Sequence, residues 1–313
     1  MDSPPLSLSS ISCHTPEVRK RRILLLFLGC AILATALSLA LTQEQQPTAR
    51  GHPLSYWVER DYGWSYHLTT PAEREEATLA IRELGTNALP LLLKWMEYEP
   101  SRWKLTVLEI ASRLPTWVPG RKLLSADAAD VRAKATPQVF RTLGATAAPA
   151  VPELEARAQD TRSKTTSRYA FISLCNIGSP AVPSIAKALS NPVLAAEPMT
   201  ATYVATLGTN AQPLVSPLLQ YLDDTNADIV LLSVTTLSYL RLQPDIIVPA
   251  LARKLADPRP AVRYQVMTAL THFGSLASPA LPQLTNAFSD ANLGIRQHAT
   301  NAIQIITTSV PRR

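Results

Sequence analysis

The chain has 313 residues, 46% of them hydrophobic, which is enough apolar surface to bury a sizeable core. Its net charge of +6 is broken into blocks: residues 51–101 carry −4 (four basic, eight acidic), 102–168 carry +6 (twelve against six), 188–240 carry −4 without a single Lys or Arg, and 241–313 carry +5. Alternating blocks are not the single basic stripe that drives nucleic-acid affinity, so no nucleic-acid partner is expected.

Residues 1–22 read as a cytoplasmic tail that ends in Arg19, Lys20, Arg21 and Arg22. Ile23 to Leu41 then gives nineteen uncharged residues, and at ~1.5 Å per residue such a helix spans a hydrocarbon core of about 30 Å. The next basic residue is Arg50, so the positive-inside rule predicts a single-pass signal anchor with everything after it on the non-cytoplasmic side. Secretion after cleavage near Ser38 and Ala40 is the alternative, although the apolar run is longer than an ordinary signal. Leu28-Gly29-Cys30 resembles the end of a bacterial lipoprotein signal, yet eleven further uncharged, mostly apolar residues follow it. Cys13 and Cys30 fall before or within the anchor, so Cys175 has no partner for an intramolecular disulfide and reads as buried packing.

Residues 42–54 read as a polar linker and 55–70 as an aromatic leader, with Tyr56, Trp57, Tyr62, Trp64 and Tyr66 in eleven residues. Such a cluster either caps the exposed end of the domain behind it or offers a binding platform, with Tyr56, Trp57 and Trp64 as its candidate contacts. Glu73, Glu75 and Glu76 follow Pro71 and suit a helix amino terminus.

From residue 71 to 313 the chain repeats itself. Gly85, Gly144, Gly178, Gly208, Arg241 and Gly274 are separated by 59, 34, 30, 33 and 33 residues. Each glycine is followed three residues later by alanine (Ala88, Ala147, Ala181, Ala211, Ala277) and five later by proline (Pro90, Pro149, Pro183, Pro213, Pro279). Glycine ends a helix and proline suits the first turn of the next, so the unit is helix, tight turn, helix. Ile81, Phe140, Leu174, Val204, Leu237 and Leu270, four residues before each marker, form the apolar stripe of the first helix. Leu92, Val151, Ile185, Val215, Val248 and Leu281, seven after, serve the second. The first gap of 59 residues predicts a degenerate unit around 107–124, where Leu108, Ala111 and Leu114 keep helical spacing. Neither helix pair covers its own apolar face, so about six or seven must stack: an all-α solenoid of antiparallel helix pairs behind one transmembrane helix.

Between units, Asp257-Pro258 precedes Val262-Arg263, Ser289-Asp290 precedes Ile295-Arg296, and Asp223-Asp224 precedes Ile229. An aspartate turn followed by Val-Arg resembles the HEAT repeat, particularly its short bacterial form, over roughly residues 70–307. The resemblance is specific for fold and almost empty for function; a non-enzymatic protein-binding scaffold without catalytic residue or cofactor is the leading expectation. Where Arg241 replaces glycine and Val230 replaces arginine, altered turns are expected. Some HEAT-like proteins hydroxylate a modified lysine through His-Glu dipeptides, which are absent here. Others bind or repair nucleic acid or attach chromophores, and these readings would need a cytoplasmic domain. The five histidines show no metal-ligand spacing, and no phosphate-cradling loop or nucleophile elbow is present. His272 and His298 fall in expected helices and read as surface or satisfied core residues. The set Arg157, Arg162, Lys164 and Arg168 is either a polar loop between repeats or a contact for an anionic partner; Arg162, Lys164 and Arg168 are its candidate binding residues.

Overall fold

The computed structural model describes residues 45–63, 69–113 and 128–309. The expected tail and anchor at 1–41, Cys13, Cys30, Trp64, Tyr66 and His67 lie outside them, and among the described residues no helix is long and apolar enough to cross a membrane. The chain divides into two units, Met1–Gln46 and Pro47–Arg313, and all that follows concerns the second.

Residues 48–53 are not the free linker expected. Strands β1 (Thr48–Ala49) and β2 (His52–Pro53) pair antiparallel, with Arg50 (φ 51°) and Gly51 (φ 79°) turning the chain between them. The hairpin is held because Trp57 Nε1 donates to the Ala49 carbonyl at 3.0 Å. Helix α1 (Leu54–Gly63) follows, and its buried residues Leu54, Trp57, Val58 and Asp61 form one helical stripe.

Helix α2 (Pro71–Leu84) opens with a capping box: Thr70 Oγ1 accepts from the Glu73 amide, and Glu73 accepts from the Thr70 amide at 2.8 Å. Bonds from Thr70 and from Arg60 hold the Glu73 carboxyl well below its usual range, at about 2. Among the described residues α2 pairs with α3 (Leu89–Trp95), and α4 (Arg102–Arg113) comes next. The pairs then run α5 (Ala128–Leu143) with α6 (Val151–Ala158), and α7 (Lys164–Ile177) with α8 (Val182–Ala188). The fourth pair breaks its first helix into α9 (Pro192–Ala195) and α10 (Thr200–Ala205), followed by α11 (Val215–Tyr221). Helices α12 (Ala227–Leu240) and α13 (Pro244–Lys254), then α14 (Pro260–Phe273) and α15 (Leu281–Asn286), make two more. Helix α16 (Leu293–Thr308) closes the series.

Neighbours in this series pack layer on layer. First helices meet first helices (α5 on α7, α10 on α12, α12 on α14, α14 on α16), second helices lie against the first helix of the next unit (α6 on α7, α11 on α12, α13 on α14, α15 on α16), and α1 lies against α2 and α5. The stripe read from sequence is the centre of the stack: Ile81, Phe140, Leu174, Val204, Leu237 and Leu270 are all 0% exposed. Of the second-helix set, Leu92, Ile185, Val215 and Val248 are buried, whereas Val151 and Leu281 are half-buried and Leu154 and Leu284 occupy the core instead.

The connection is not the tight turn expected. A 3-10 segment of three to seven residues joins the helices (Gly85–Ala88, Gly144–Ala150, Ser179–Ala181, Gly208–Leu214, Gly274–Ala280), and Pro149, Pro213 and Pro279 sit inside it rather than in the next helix. All five repeat alanines in these segments are fully buried, and consecutive segments from Gly85 to Ala181 stack on one another. A larger side chain there would force the units apart.

Position 178 shows why the marker is glycine: φ 85° with ψ −138° is a conformation that side chains do not adopt. Arg241, standing in the glycine position, instead takes the left-handed helical region (φ 49°, ψ 28°), and Gln243 does the same (φ 47°). No 3-10 segment follows there; α13 starts directly at Pro244, which is the altered turn the substitution implied. Arg241→Gly is expected to raise stability by about 1 kcal/mol, the ordinary penalty for a left-handed non-glycine residue, measured as a shift of the urea midpoint. A midpoint that falls would show that the Arg241 side chain holds the turn.

The stretch expected to hide a degenerate repeat is described in part. Helix α4 forms, but Trp103 (70% exposed), Leu105 and Ile110 face solvent, while α2 and α3 pack directly against α5. Residues 114–127 lie outside the described residues. The unit expected around 107–124 falls largely outside the described residues.

Candidate binding groove

Proline sets the geometry of the site. Pro198 cannot continue the helix begun at Pro192 and disfavours helical backbone at Glu197, so the fourth unit breaks between α9 and α10. Thr200 Oγ1 satisfies the freed Leu194 carbonyl at 2.7 Å. The break exposes Met199 (51% exposed) and brings Glu197 to the edge of a groove of about 500 Å³. Helices α5 (Lys134, Gln138, Arg141) and α7 (Arg168, Tyr169, Ile172) form its floor, Tyr203 of α10 one wall, and Tyr62 of α1 the other. Lys134, Gln138 and Arg141 recur at helical spacing, so one stripe of α5 faces the groove while Phe140 faces the core. Asn176 ties the two floor helices together through Nδ2, which donates to the Pro137 carbonyl at 2.7 Å.

The groove is cationic. Lys134 pairs with Asp130 on its own helix (2.5 Å), and Glu197 is neutralised by Lys164 (2.6 Å). Neither Arg141 nor Arg168 makes an ion pair with a described carboxylate; the Arg168 guanidinium lies over the Tyr169 ring at 5.4 Å. Next to Tyr62 on α1, Asp61 is 1% exposed and neither carboxylate oxygen makes a hydrogen bond of good geometry, Gln138 supplying only a weak one; the Arg74 Nε is 3.9 Å away. Burial pushes the Asp61 carboxyl above its usual range, and Arg74, Arg141 and Gln138 only partly offset this.

A carboxyl whose folded pKa is raised favours folding less and less as pH climbs above its unfolded value near 3.8, so at neutral pH Asp61 is a net cost. Asp61→Asn is expected to stabilise the domain by on the order of 1 kcal/mol at pH 7, with the gain over wild type shrinking toward pH 4. Denaturant midpoints across that range measure it, and a variant less stable than wild type at pH 7 contradicts it.

The residues singled out from sequence scatter. Trp57 is a core residue (1% exposed), and Tyr56 is half-buried between the His52 ring (4.0 Å) and the Arg60 guanidinium (4.4 Å). These contacts are those of a leader packed on the first units; Trp64 lies outside the described residues. Arg162 points to solvent and is held by Asp160 at 2.7 Å, which keeps the Asp160 carboxyl down at about 2. Lys164 serves Glu197 at the rim, and Arg168 alone of the three lines the groove. Arg157 bonds Glu97 (2.7 Å) and Glu153. His272 and His298 are each stacked on a tyrosine, Tyr239 and Tyr264, and burial lowers both pKa values. Cys175 is buried, which pushes its thiol far above the usual range and leaves it unreactive. Among the described residues no group of three His, Cys, Asp or Glu side chains is placed to hold a metal. Arg141, Tyr169, Met199 and Tyr203 were missed; Pro198, interrupting an otherwise helical stripe, is a signal for Met199 beside it, and Arg141 and Tyr169 carry none.

Stacked helix pairs with a cationic groove on the first-helix face define a helical repeat scaffold. Residues 215–304, from α11 into α16, match the family model described as HEAT repeats. No curated protein matches the chain. Two engineered proteins of known crystal structure are similar at 14% identity: one with TM-score 0.33, covering 82% of this chain and 84% of its own, the other with TM-score 0.28, covering 82% and 96%.

Proposed function

We propose that this chain is a non-enzymatic scaffold that docks another protein while held at a membrane by residues 23–41. The observation that carries the docking role is the groove: consecutive units contribute Lys134, Arg141, Arg168, Tyr169 and Tyr203, groups that hold a ligand rather than transform it. The tether rests on the uncharged run Ile23 to Leu41 behind four consecutive basic residues, and the same asymmetry supports the reading that the repeats lie on the non-cytoplasmic side.

Two experiments test the two halves. A reporter fused after Arg313 should be active outside the cytoplasm; activity only inside overturns the placement and reopens the nucleic-acid and chromophore readings. Proximity labelling by the full chain in its own membrane should mark a protein partner reproducibly. Labelling of no protein, with a small molecule co-purifying instead, overturns the scaffold.

A further inference from the structure

We infer that the groove between α1, α5, α7 and α10 receives an extended acidic segment of the partner chain, with carboxylates seated on Arg141 and Arg168 and apolar or aromatic side chains against Tyr169, Ile172, Met199 and Tyr203. The inference rests on the scaffold reading and names the chemistry of its partner. Three observations converge on it. The cations come from two packed helices while the groove's one acid, Glu197, is already spent on Lys164, so the groove presents uncompensated positive charge. Over residues 128–168, which include both floor helices up to Arg168, seven basic side chains stand against four acidic ones, so the net charge there has the same sign. Arg141 is exposed and makes no ion pair with a described carboxylate, so its guanidinium is open to a ligand.

Shape selects a peptide. Packed helix axes lie about 8–10 Å apart, so α5, α7 and α10 span roughly 20 Å, the length of about six extended residues. Carboxylates about three residues apart then reach Arg141 and Arg168 together. Bidentate guanidinium contacts fix their register, and the tyrosines supply apolar area with little entropy to lose.

The test is fluorescence anisotropy of fluorescein-labelled hexaglutamate with the full chain in detergent. Binding should weaken steeply with salt and fall at least tenfold in Arg141→Glu/Arg168→Glu. Arg162→Glu makes the same kind of charge change at a solvent-facing site outside the groove and should shift affinity less than twofold. Met199→Glu, at the exposed rim, should also weaken binding and serves if the double variant misfolds. Four results overturn the inference: no binding of hexaglutamate at low salt, equal loss in Arg162→Glu, displacement by inorganic phosphate at matched charge concentration, or tighter groove binding of oligothymidylate. The two proposals fail separately. A partner still labelled by Arg141→Glu/Arg168→Glu as by wild type sinks the groove and leaves the scaffold, whereas no labelled partner sinks the scaffold itself.

Discussion

Phe140→Ala is expected to destabilise the Pro47–Arg313 unit by about 3–5 kcal/mol, the cost of deleting a fully buried aromatic side chain and leaving a cavity that rigid helices cannot close. Phe140 is 0% exposed on α5, the helix that packs against α1, α2, α3 and α7 at once. Because each unit is stabilised mainly by its neighbours, the loss falls on the coupling between the leader end and the rest. Chemical denaturation should therefore separate into two transitions, the first involving the residues up to α6. Hydrogen exchange should show α14 and α16 keeping wild-type protection while α2 and α5 lose theirs. Uniform loss along the whole chain would mean a single cooperative globule instead of neighbour-coupled units.

Arg263→Ala should cost about 2–3 kcal/mol, somewhat below the cost of breaking a fully enclosed pair because a tenth of each side chain remains exposed. Arg263 grips Asp290 of the following unit with two bonds (2.7 and 2.9 Å) and also donates to the Asp257 and Pro258 carbonyls of its own turn. One guanidinium thus fastens two consecutive turns. Those bonds hold the Asp290 carboxyl below its usual range. A lowered folded pKa contributes stability that is complete above the unfolded value near 3.8 and is lost as pH falls through the folded one. The gap between Arg263→Ala and wild type should accordingly stay constant from pH 7 to about 5 and close below 4. A gap independent of pH down to 2 would assign the loss to the carbonyl bonds alone. Arg263→Lys, which supplies charge without the two-pronged geometry, should recover less than half.

The same contact explains why the Asp and Val-Arg signature was legible in sequence. Arg296 repeats the Arg263 pattern by donating to the Asp290 and Ala291 carbonyls. At the preceding turn, where Val230 stands in the arginine position, Arg259 of the next unit reaches back to the Asp224 and Thr225 carbonyls at 3.5 and 3.4 Å. The six-residue apolar stripe was legible for an equally simple reason: burial on one helix face imposes a period, and a period survives in sequence. The groove was not legible in the same way. Arg141, Arg168 and Tyr203 lie on three helices and become neighbours only when those helices stack, so no linear spacing marks them. Basic residues close in sequence drew attention but are already paired, Arg162 with Asp160 and Lys164 with Glu197 of the next unit. The strand pair at 48–53 was missed because two residues per strand carry no period, and its tertiary anchor, the indole bond to Ala49, joins residues eight apart.

The serial stack is tested most directly by spin-label distances in the Pro47–Arg313 fragment, whose only native thiol, Cys175, is buried and unreactive. One label at Thr146, in the 3-10 segment of the second pair, is combined in turn with a second at Ser179, Thr209 or Leu276, all exposed. Units stacked at roughly 10 Å per step require the mean distance to lengthen at every move along the chain, with the Leu276 label farthest of the three. A Leu276 distance equal to or shorter than that of Ser179 would mean that the chain folds back on itself, and the scaffold account would be wrong.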